Sequence, residues 1–206
     1  DPARHDAMRG MPGSWDRAVR ALDLLRKHRP DKRCRVHMIS VLMEDNIDDV
    51  EPLLKLSREL GVTYFLNLYS HGRGAKDERA PGPNVKVQDR LLALKAKYPE
   101  FVSLTSYLGR FDQAIAEGGI GDCEGGRLFF NVGSRGEVSR CIDTLNETAG
   151  NLLVDESRAV FRRLGQIAAE KPCAACWTSC RGFAECMYKK PRLRQFLEFY
   201  TSTKRR

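Results

Sequence analysis

The chain has 206 residues, of which 42% are hydrophobic and 30% are charged, a composition typical of a soluble globular protein with one domain and a small module. Its net charge is +8, but the basic residues are scattered except in 189–194 and 204–206, and no nucleic-acid-binding motif accompanies them. We therefore expect no nucleic acid and no membrane among its partners. No segment resembles a signal peptide or an apolar membrane span, and a cytoplasmic location is predicted.

The first 118 residues are predicted to alternate between helices and strands. Residues 1–13, with two prolines and two glycines, are predicted as a loop, and Ser14 is expected to cap a helix that ends near Lys27. The apolar run Cys34–Leu42 predicts a buried parallel strand, with Cys34 as a small core residue. A helix follows over 45–60, with Pro52 in its first turn and Gly61 at its end.

The same pattern continues to residue 117. The sequence predicts a strand over 62–70, a mobile loop over 71–84, a helix over 85–98, a strand over 101–105 and a short helix over 111–117. Strands that are separated by single helices favour right-handed crossovers and a parallel sheet. Three strands are too few for a closed barrel, and the first residue is Asp rather than Met, so we interpret residues 1–118 as part of a larger α/β domain.

After residue 118 the pattern changes to a small α+β region. The segment RLFFNVGSRGEVSRC predicts a β-hairpin that turns at Gly133–Gly136 and brings Cys123 close to Cys141. A helix is predicted over 155–170, ended by Pro172, and a last helix over 192–200.

Six of the seven cysteines lie in this second region. Cys123 and Cys141 form C-x12-G-x4-C, and Cys173, Cys176, Cys180 and Cys186 form C-x2-C-x3-C-x5-C. Disulfides are disfavoured because most of the chain carries almost no cysteine and no secretory signal is seen. Zinc sites usually need two C-x2-C pairs or paired histidines, and all four histidines lie far upstream. Short, irregular spacings with a distant partner are most typical of iron–sulfur ligation.

This arrangement resembles a radical S-adenosylmethionine (SAM) enzyme with a C-terminal SPASM or twitch auxiliary-cluster domain. The upstream segment HDAMRGMPGSWDRAVRALDLLRKH is similar to the one that follows the third barrel strand in that family. The segment SVLMEDNIDDVEPLLKLSRELGV is similar to the next strand, its Asn-bearing turn and the helix after it. The resemblance implies that residues 1–118 are the C-terminal half of a partial (β/α)6 TIM-like barrel, and that 119–206 are the SPASM/twitch domain. It also implies a radical SAM oxidoreductase or maturase that removes hydrogen from a substrate through a 5′-deoxyadenosyl radical.

The resemblance implies the ligands and partners as well. The six cysteines would hold one or two auxiliary 4Fe–4S clusters, which accept an electron or anchor substrate. The substrate would be a peptide or a small molecule, and flavodoxin or ferredoxin would serve as electron donor. Arg9, in HD-x2-R with His5 and Asp6, would approach the SAM carboxylate; the other interpretation is that this segment caps the next helix or faces solvent.

Two departures from the family pattern affect these expectations. The chain lacks the C-x3-C-x2-C motif of the radical-generating cluster, so we expect it not to cleave SAM by itself. A full SPASM domain has C-x2-C-x5-C-x3-C and one more cysteine, which differs from the spacing here. A twitch-like set would be Cys123, Cys141, Cys173 and Cys176; a SPASM-like division would place Cys123, Cys141 and Cys186 on one cluster and the rest on another.

Four groups of further candidates come from position. Asn67, Tyr69 and His71 follow a parallel strand at its carboxyl end, where α/β sites open, and they either line a cofactor or substrate cavity or merely edge the sheet. Arg140 and Arg181 adjoin cysteines and either favour thiolates or are surface charges. Hairpin amides near Gly136, and Trp177, are expected around the cluster.

The competing function is a non-enzymatic iron–sulfur or zinc module for electron transfer or docking.

Overall fold

The structure is a computed structural model that describes residues 1–70, 77–189 and 193–204. Its helices are α1 Pro2–Arg9, α2 Ser14–His28, α3 Val50–Leu60, α4 Gln88–Lys97, α5 Thr105–Leu108, α6 Phe111–Glu117, α7 Ser157–Glu170, α8 Ser179–Tyr188 and α9 Leu193–Lys204, with single 3-10 turns at Ile47–Asp49 and Asp77–Arg79. Its strands are β1 His37–Leu42, β2 Thr63–Leu68, β3 Asn131–Val132, β4 Glu137–Ser139 and β5 Thr148–Asn151. The mixed α/β class predicted from the sequence is confirmed.

Strands β1 and β2 pair in parallel, with His37 opposite Thr63 and Leu42 opposite Leu68. The expected crossover helix α3 joins them; Pro52 lies in its first turn, and Gly61 ends it in a left-handed conformation with φ 64°. At this position glycine avoids the steric cost that a side chain would carry. This βαβ unit is therefore the part of the chain where local pattern and observed structure agree most closely.

The prediction of a third strand over 101–105 is wrong. Phe101 makes one isolated parallel bridge to Tyr64, and the ladder goes no further. In a longer ladder the Leu66 N–H would donate to a backbone carbonyl oxygen. It donates instead to the Ser103 side-chain hydroxyl, at 3.1 Å. Helix α5 then begins at Thr105, inside the predicted strand.

The main hydrophobic core lies on one face of the β1–β2 sheet. Leu54 of α3, Tyr64 and Leu66 of β2, Leu91 of α4 and Phe111 of α6 are all essentially inaccessible to solvent. The members of this core are Leu42, Val50, Leu54, Tyr64, Leu66, Leu68, Val87, Leu91, Leu94, Tyr98, Phe101, Leu104, Tyr107, Leu108, Phe111, Ala114, Ile115, Ile120, Trp177 and Met187. Burial of this apolar surface supplies the main driving force for folding.

The other face of the sheet is open, which corrects the prediction of a buried strand at β1. His37, Ile39 and Val41 alternate outward, and Ile39 is 60% exposed. The apolar run in the sequence suggested burial on both faces of β1. Helix α8 meets this side of the sheet at β2, through Phe65 and Asn67, while His37, Ile39 and Val41 of β1 stay exposed. Cys34 is also exposed and lies outside β1, so its prediction as a core residue is wrong.

The N-terminal segment, predicted as a loop, contains helix α1. The Asp1 carboxylate accepts from the N–H groups of Ala3 and Arg4, and Pro2 occupies the first helical position, where its missing N–H costs little. Gly10 ends the helix with φ 63°. The prolines and glycines that suggested a loop therefore act as helix-end signals.

The second region contains its own small core. The predicted hairpin is confirmed as β3–β4, and β5, which was not predicted, adds a third antiparallel strand. Val138, Ala149, Val160 and Leu164 pack together between this sheet and α7. Trp177 and Met187 instead join the main core, so that core extends past residue 118, where the sequence suggested a domain division.

The remaining helices lie close to their predicted positions. Helices α2, α4, α7 and α9 overlap the predicted segments, and α6 matches its segment residue for residue. Helix α8, which carries Cys180 and Cys186, was not predicted. Part of the predicted loop, 71–76, lies outside the described residues. Within the described ranges, no helix has both the length and the apolar character that a membrane crossing requires.

Replacement of Ser103 by Ala tests how the sheet ends. The Leu66 N–H would lose its acceptor in a fully buried position, and a cost of about 1–3 kcal/mol in the free energy of unfolding is expected. Urea denaturation measures this change. Ser134→Ala, at an exposed turn position, is the control and should change stability by less than about 0.5 kcal/mol. Equal stability of the two variants would contradict the assigned role of Ser103.

Candidate functional site

The two separated parts of the cysteine pattern lie side by side. The Cys123 backbone N–H donates to the Cys173 carbonyl oxygen at 3.2 Å, although the two residues are 50 positions apart. Both side chains are partly exposed, and all seven cysteines are free thiols. The backbone therefore places the start of the hairpin motif against the start of the C-x2-C motif.

A buried ion pair on α8 holds these segments together. The Arg181 side chain is 1% exposed, and its Nη1 and Nη2 donate to the carbonyl oxygens of Cys176 (2.8 Å) and Gly121 (2.7 Å). Its Nε donates to Glu185 Oε1 at 2.7 Å, and the same oxygen accepts from the Glu124 N–H at 3.1 Å. We call this set of contacts the Arg181 clamp; it fixes the chain on both sides of Cys123 to the turn that contains Cys176.

Burial controls the charge state of the clamped thiol. It raises the pKa of Cys123, and the Gly125 N–H and the Arg181 guanidinium oppose this only in part. Burial lowers the pKa of Arg181, but the hydrogen bond from Arg181 to Glu185, the charge of Glu185 and any thiolate charge at Cys123 and Cys176 raise it, and the net shift is upward. The thiol is therefore protonated and the guanidinium charged at neutral pH, so metal binding at Cys123 would release a proton.

Arg140 connects the Cys141 segment to the same region. Its side chain is only 5% exposed; Nη1 donates to the Lys171 carbonyl oxygen, and Nε lies 3.9 Å from a Glu147 carboxylate oxygen. Lys171 stands two residues before Cys173, so this contact draws the second hairpin cysteine's segment toward the C-x2-C turn. The interpretation of Arg140 and Arg181 as surface charges is wrong for both residues.

Gly119 allows the C-x2-C turn to pack closely on the end of α6. A Cβ atom at this position would overlap the Ala174 carbonyl oxygen and lie 2.6 Å from the Cys176 nitrogen, and the backbone has φ +148°. Any side chain would therefore force the turn away. Glycine is required here by close approach as well as by conformation.

Trp177 anchors the same turn from its other side. The side chain is 1% exposed, its Nε1 donates to the Tyr107 carbonyl oxygen at 3.0 Å, and the Arg110 guanidinium lies 4.9 Å from the ring centroid. The aromatic ring of Tyr107 in turn packs where Gly182 has no side chain. Trp177 thus joins the cysteine run to the main core.

Cys180 and Cys186 lie on α8, and their surroundings differ from those of the other four cysteines. Cys180 is exposed and lines a groove with Phe65 and Phe183, whereas Cys186 packs against the main core. Burial raises the pKa of Cys186. Helix α8 therefore holds Cys186 against the main core and leaves Cys180 in the exposed groove.

Thiols are the donor type that an iron–sulfur cluster requires, but the six side chains are not arranged as ligands. Over the described residues, which include all seven cysteines, no three or more Cys, His, Asp or Glu side chains are grouped so that they could hold a metal ion. The Cys141 Sγ, for example, accepts from the Asp143 N–H at 3.2 Å within its own turn. Side-chain rearrangement would have to accompany ligation.

The candidate residues for SAM are not brought together. Arg9 is exposed and lines a cavity of about 340 Å³ with Trp15, Val41 and Asn46. The Asn67 side-chain oxygen instead accepts from the Ser179 N–H at 2.8 Å at the start of α8. The Tyr69 hydroxyl donates to Asp77 at 3.1 Å, and His71 lies outside the described residues.

His5 and Asp6 contact the start of the next helix, α2, as the alternative interpretation of their segment predicted. Asp6 Oδ1 accepts from the Trp15 N–H and the Ser14 hydroxyl, each at 2.8 Å, and these bonds lower the pKa of Asp6 to about 2. His5 Nδ1 lies 3.0 Å from the same hydroxyl. These contacts begin α2, and both His5 and Arg9 line the cavity.

The importance of Glu185 and Gly119 was missed in the sequence. The spacing of Arg181 and Glu185, four residues apart, would have indicated an ion pair if residues 179–188 had been recognised as a helix. The dense cysteines obscured that pattern. Gly119 carried no signal beyond its place next to another glycine.

Comparisons with protein-family models, curated proteins and solved structures found no match to this chain.

Gly119→Ala and Gly118→Ala separate steric overlap from backbone strain. Both glycines have positive φ, but a Cβ at Gly118 meets open space. We expect Gly119→Ala to lower the free energy of unfolding by more than about 2 kcal/mol, and Gly118→Ala by about 1 kcal/mol. Alkylation followed by mass spectrometry should also show faster modification of the buried Cys176 in Gly119→Ala alone. Similar Cys176 rates in both variants would count against close packing at Gly119.

Proposed function

We propose that this chain is the C-terminal part of a radical SAM oxidoreductase or maturase and that its cysteines bind at least one auxiliary 4Fe–4S cluster. The observation that carries the proposal is the backbone contact between Cys123 and Cys173, held in place by the Arg181 clamp. A clamp of this kind sets two distant cysteine segments beside each other without help from a metal. It would lower the entropic cost of gathering ligands from both segments.

The contacts favour a single cluster held by Cys123, Cys141, Cys173 and Cys176. Arg140 and the Arg181 clamp both join the hairpin segments to the C-x2-C segment. Cys180 and Cys186 share a helix that packs on the main core. Of the arrangements considered, the twitch-like set therefore requires the smaller change in chain path.

When bound, a cluster at this position would supply one-electron chemistry or an open iron site for substrate. The chain's own part is to present soft anionic donors and to tune them through nearby hydrogen bonds and charges. The buried Arg181 guanidinium would partly neutralise the negative charge of thiolate ligands. The Gly125 N–H, which donates to Cys123 Sγ at 3.4 Å, is one hydrogen bond of the kind that tunes sulfur ligands.

The SAM part of the proposal relies on the sequence resemblance and on the position of Arg9. The cavity that Arg9 lines lies beside the carboxyl-end half of β1, with Val41 and Met43 in its wall. Sites of α/β proteins open at this end of the strands. An arginine there suits the carboxylate of SAM. The reaction class that we propose is modification of a peptide or protein. Enzymes of the family that the sequence resembles also dehydrogenate sugars or alcohols, and this is the second reaction class.

Anaerobic reconstitution with iron and sulfide tests the cluster. We expect about four irons and about four sulfides per chain, with charge-transfer absorption in the visible range. Cys173→Ser should lose most of this content because it removes a ligand. Cys34→Ser should keep it because Cys34 is exposed and distant in the sequence from the cysteine motifs.

Three other results would change the proposal. About eight irons per chain would support two clusters and the SPASM-like division. Zinc without iron would support a non-enzymatic binding module. Equal metal content in the Cys173→Ser and Cys34→Ser variants would show that the cysteine motifs are not the ligands.

A further inference from the structure

Helix α9, Leu193–Lys204, presents an apolar stripe to solvent. Leu193, Phe196, Leu197 and Tyr200 recur at i, i+3, i+4 and i+7, a spacing that places them on one side of a helix. In a globular protein such a side normally packs on the core, yet Leu193 is 77% exposed and Leu197 is 53% exposed. Phe196 and Tyr200 are exposed as well. The fold therefore leaves the apolar side of its last helix on the surface.

Contacts on the inward side of α9 fix this orientation. The Glu198 carboxylate accepts from the Thr105 N–H at 2.8 Å and from the Thr105 hydroxyl at 2.9 Å. The Lys95 ammonium group lies 2.9 Å from the same oxygen. The ring of Phe199 contacts that of Phe183 on α8, with centroids 5.4 Å apart. Rotation of α9 to bury the apolar stripe would break the ion pair and both hydrogen bonds, so these contacts hold the stripe outward.

The charges around the stripe are basic. The sequence from 189 to 206 contains seven Lys and Arg residues and one acidic residue, Glu198. Glu198 is paired with Lys95 on the inward side, so it does not offset the positive charge on the solvent side. Arg194 is exposed and stands one residue after Leu193, at the edge of the stripe. A partner that covers the stripe should therefore combine an apolar contact area with negative charge around it.

An anionic membrane surface has both properties. Basic side chains bind its headgroups, while leucine and phenylalanine side chains enter the boundary between headgroups and acyl chains. Tyrosine is common at the same depth. A second copy of this chain fits less well, because pairing of two α9 helices would bring basic residues of both copies together. The stripe also lies on a single exposed helix, a convex surface that suits a flat fluid layer rather than a ligand that needs a pocket.

We propose that α9 binds an anionic lipid surface, with Leu193, Phe196 and Leu197 at the boundary with the acyl chains and Arg194 on the headgroups. The helix has 12 residues and would lie along the surface, because a crossing needs about 20 apolar residues. The expectation that the partners include no membrane came from the lack of apolar spans in the sequence, and this mode of binding needs none. The proposal does not depend on iron binding.

Co-sedimentation with sucrose-loaded vesicles measures the partition coefficient of the whole chain. One set of vesicles is phosphatidylcholine alone, and the other also contains about 30% phosphatidylglycerol as the anionic lipid. We expect at least about tenfold stronger binding to the anionic set, and loss of most of this preference at high salt, because salt screens the attraction between charges.

Leu197→Gln tests the apolar stripe, and Leu25→Gln on α2 is the matched control. The two leucines are 53% and 59% exposed on helices, and neither substitution changes the net charge. About half of the Leu197 side chain remains to be covered by lipid, so Leu197→Gln should weaken binding to the anionic vesicles about fivefold. Leu25→Gln should bind as the parent chain does.

Arg194→Gln tests the headgroup contact, with Arg20→Gln at an exposed position of α2 as control. Both variants lose one positive charge, but Arg194 alone lies beside the stripe, so Arg194→Gln should weaken binding about fivefold and Arg20→Gln much less. Circular dichroism confirms that each variant is folded.

Three results would overturn the proposal. Equal binding of Leu197→Gln and Leu25→Gln would show that the apolar stripe makes no contact with lipid. Equal binding of Arg194→Gln and Arg20→Gln would show that the vesicles respond to net charge and not to α9. Failure of the chain to bind the anionic vesicles would leave an acidic protein surface as the class of partner for this helix.

Discussion

The Arg181 guanidinium is the group on which the arrangement of the cysteine region depends. It donates to two carbonyl oxygens that are 55 positions apart in sequence, those of Gly121 and Cys176, and it pairs with Glu185 on its own helix. Through Glu185 the same ion pair also binds the Glu124 N–H. One buried charge pair therefore fixes the chain on both sides of Cys123 and the turn that carries Cys176. Further contacts between these segments are the Cys123–Cys173 backbone bond, the Arg140 contact with Lys171 and the Lys189 bond to the Asp122 carbonyl oxygen.

A buried ion pair is a costly way to join segments unless every hydrogen bond is made. Two charges lose much of their hydration at this site, where Arg181 and Glu185 are 1% and 5% exposed. Each Arg181 nitrogen has a partner at 2.7–2.8 Å, so the remaining cost is small for the pair. Loss of either partner would leave an uncompensated buried charge, at a cost on the order of 3–5 kcal/mol. Such a clamp favours one specific arrangement of the cysteine segments over other compact ones.

Much of the fold could be predicted from local pattern, and the exceptions have physical causes. The βαβ unit from β1 to β2 followed from apolar runs, Pro52 and Gly61, because these signals act within a few residues of their position. The third strand was wrong because the Ser103 hydroxyl replaces a backbone acceptor, a contact that no periodicity reveals. Helix α1 was missed because Asp and Pro are common in loops as well as at helix starts. The capping bond of Asp1 distinguishes the two cases only once the structure is known.

The candidate site was predictable in its residue types but not in its geometry. The cysteine spacing pointed to two segments that lie side by side in the structure, and the hairpin turn at Gly133–Gly136 was confirmed. Their relative placement depends on contacts that are distant in sequence, such as Gly119 against Cys176 and Arg181 against Gly121. For the same reason the ring contacts among His37, Phe65, Phe183 and Phe199 were not foreseen, since these residues come from β1, β2, α8 and α9.

Thiol cross-linking tests most directly whether the Arg181 clamp holds the cysteine segments together without metal. The reduced, metal-free chain would be treated with dibromobimane, a short reagent that joins two nearby thiols, and the linked peptides identified by mass spectrometry. We predict that Cys123 is linked to Cys173 or Cys176, and that Arg181→Gln loses these links while Lys27→Gln, which breaks the exposed ion pair of Lys27 with Asp23 on α2, keeps them. Links that persist unchanged in Arg181→Gln, or that join Cys123 only to Cys180 or Cys34, would contradict the account.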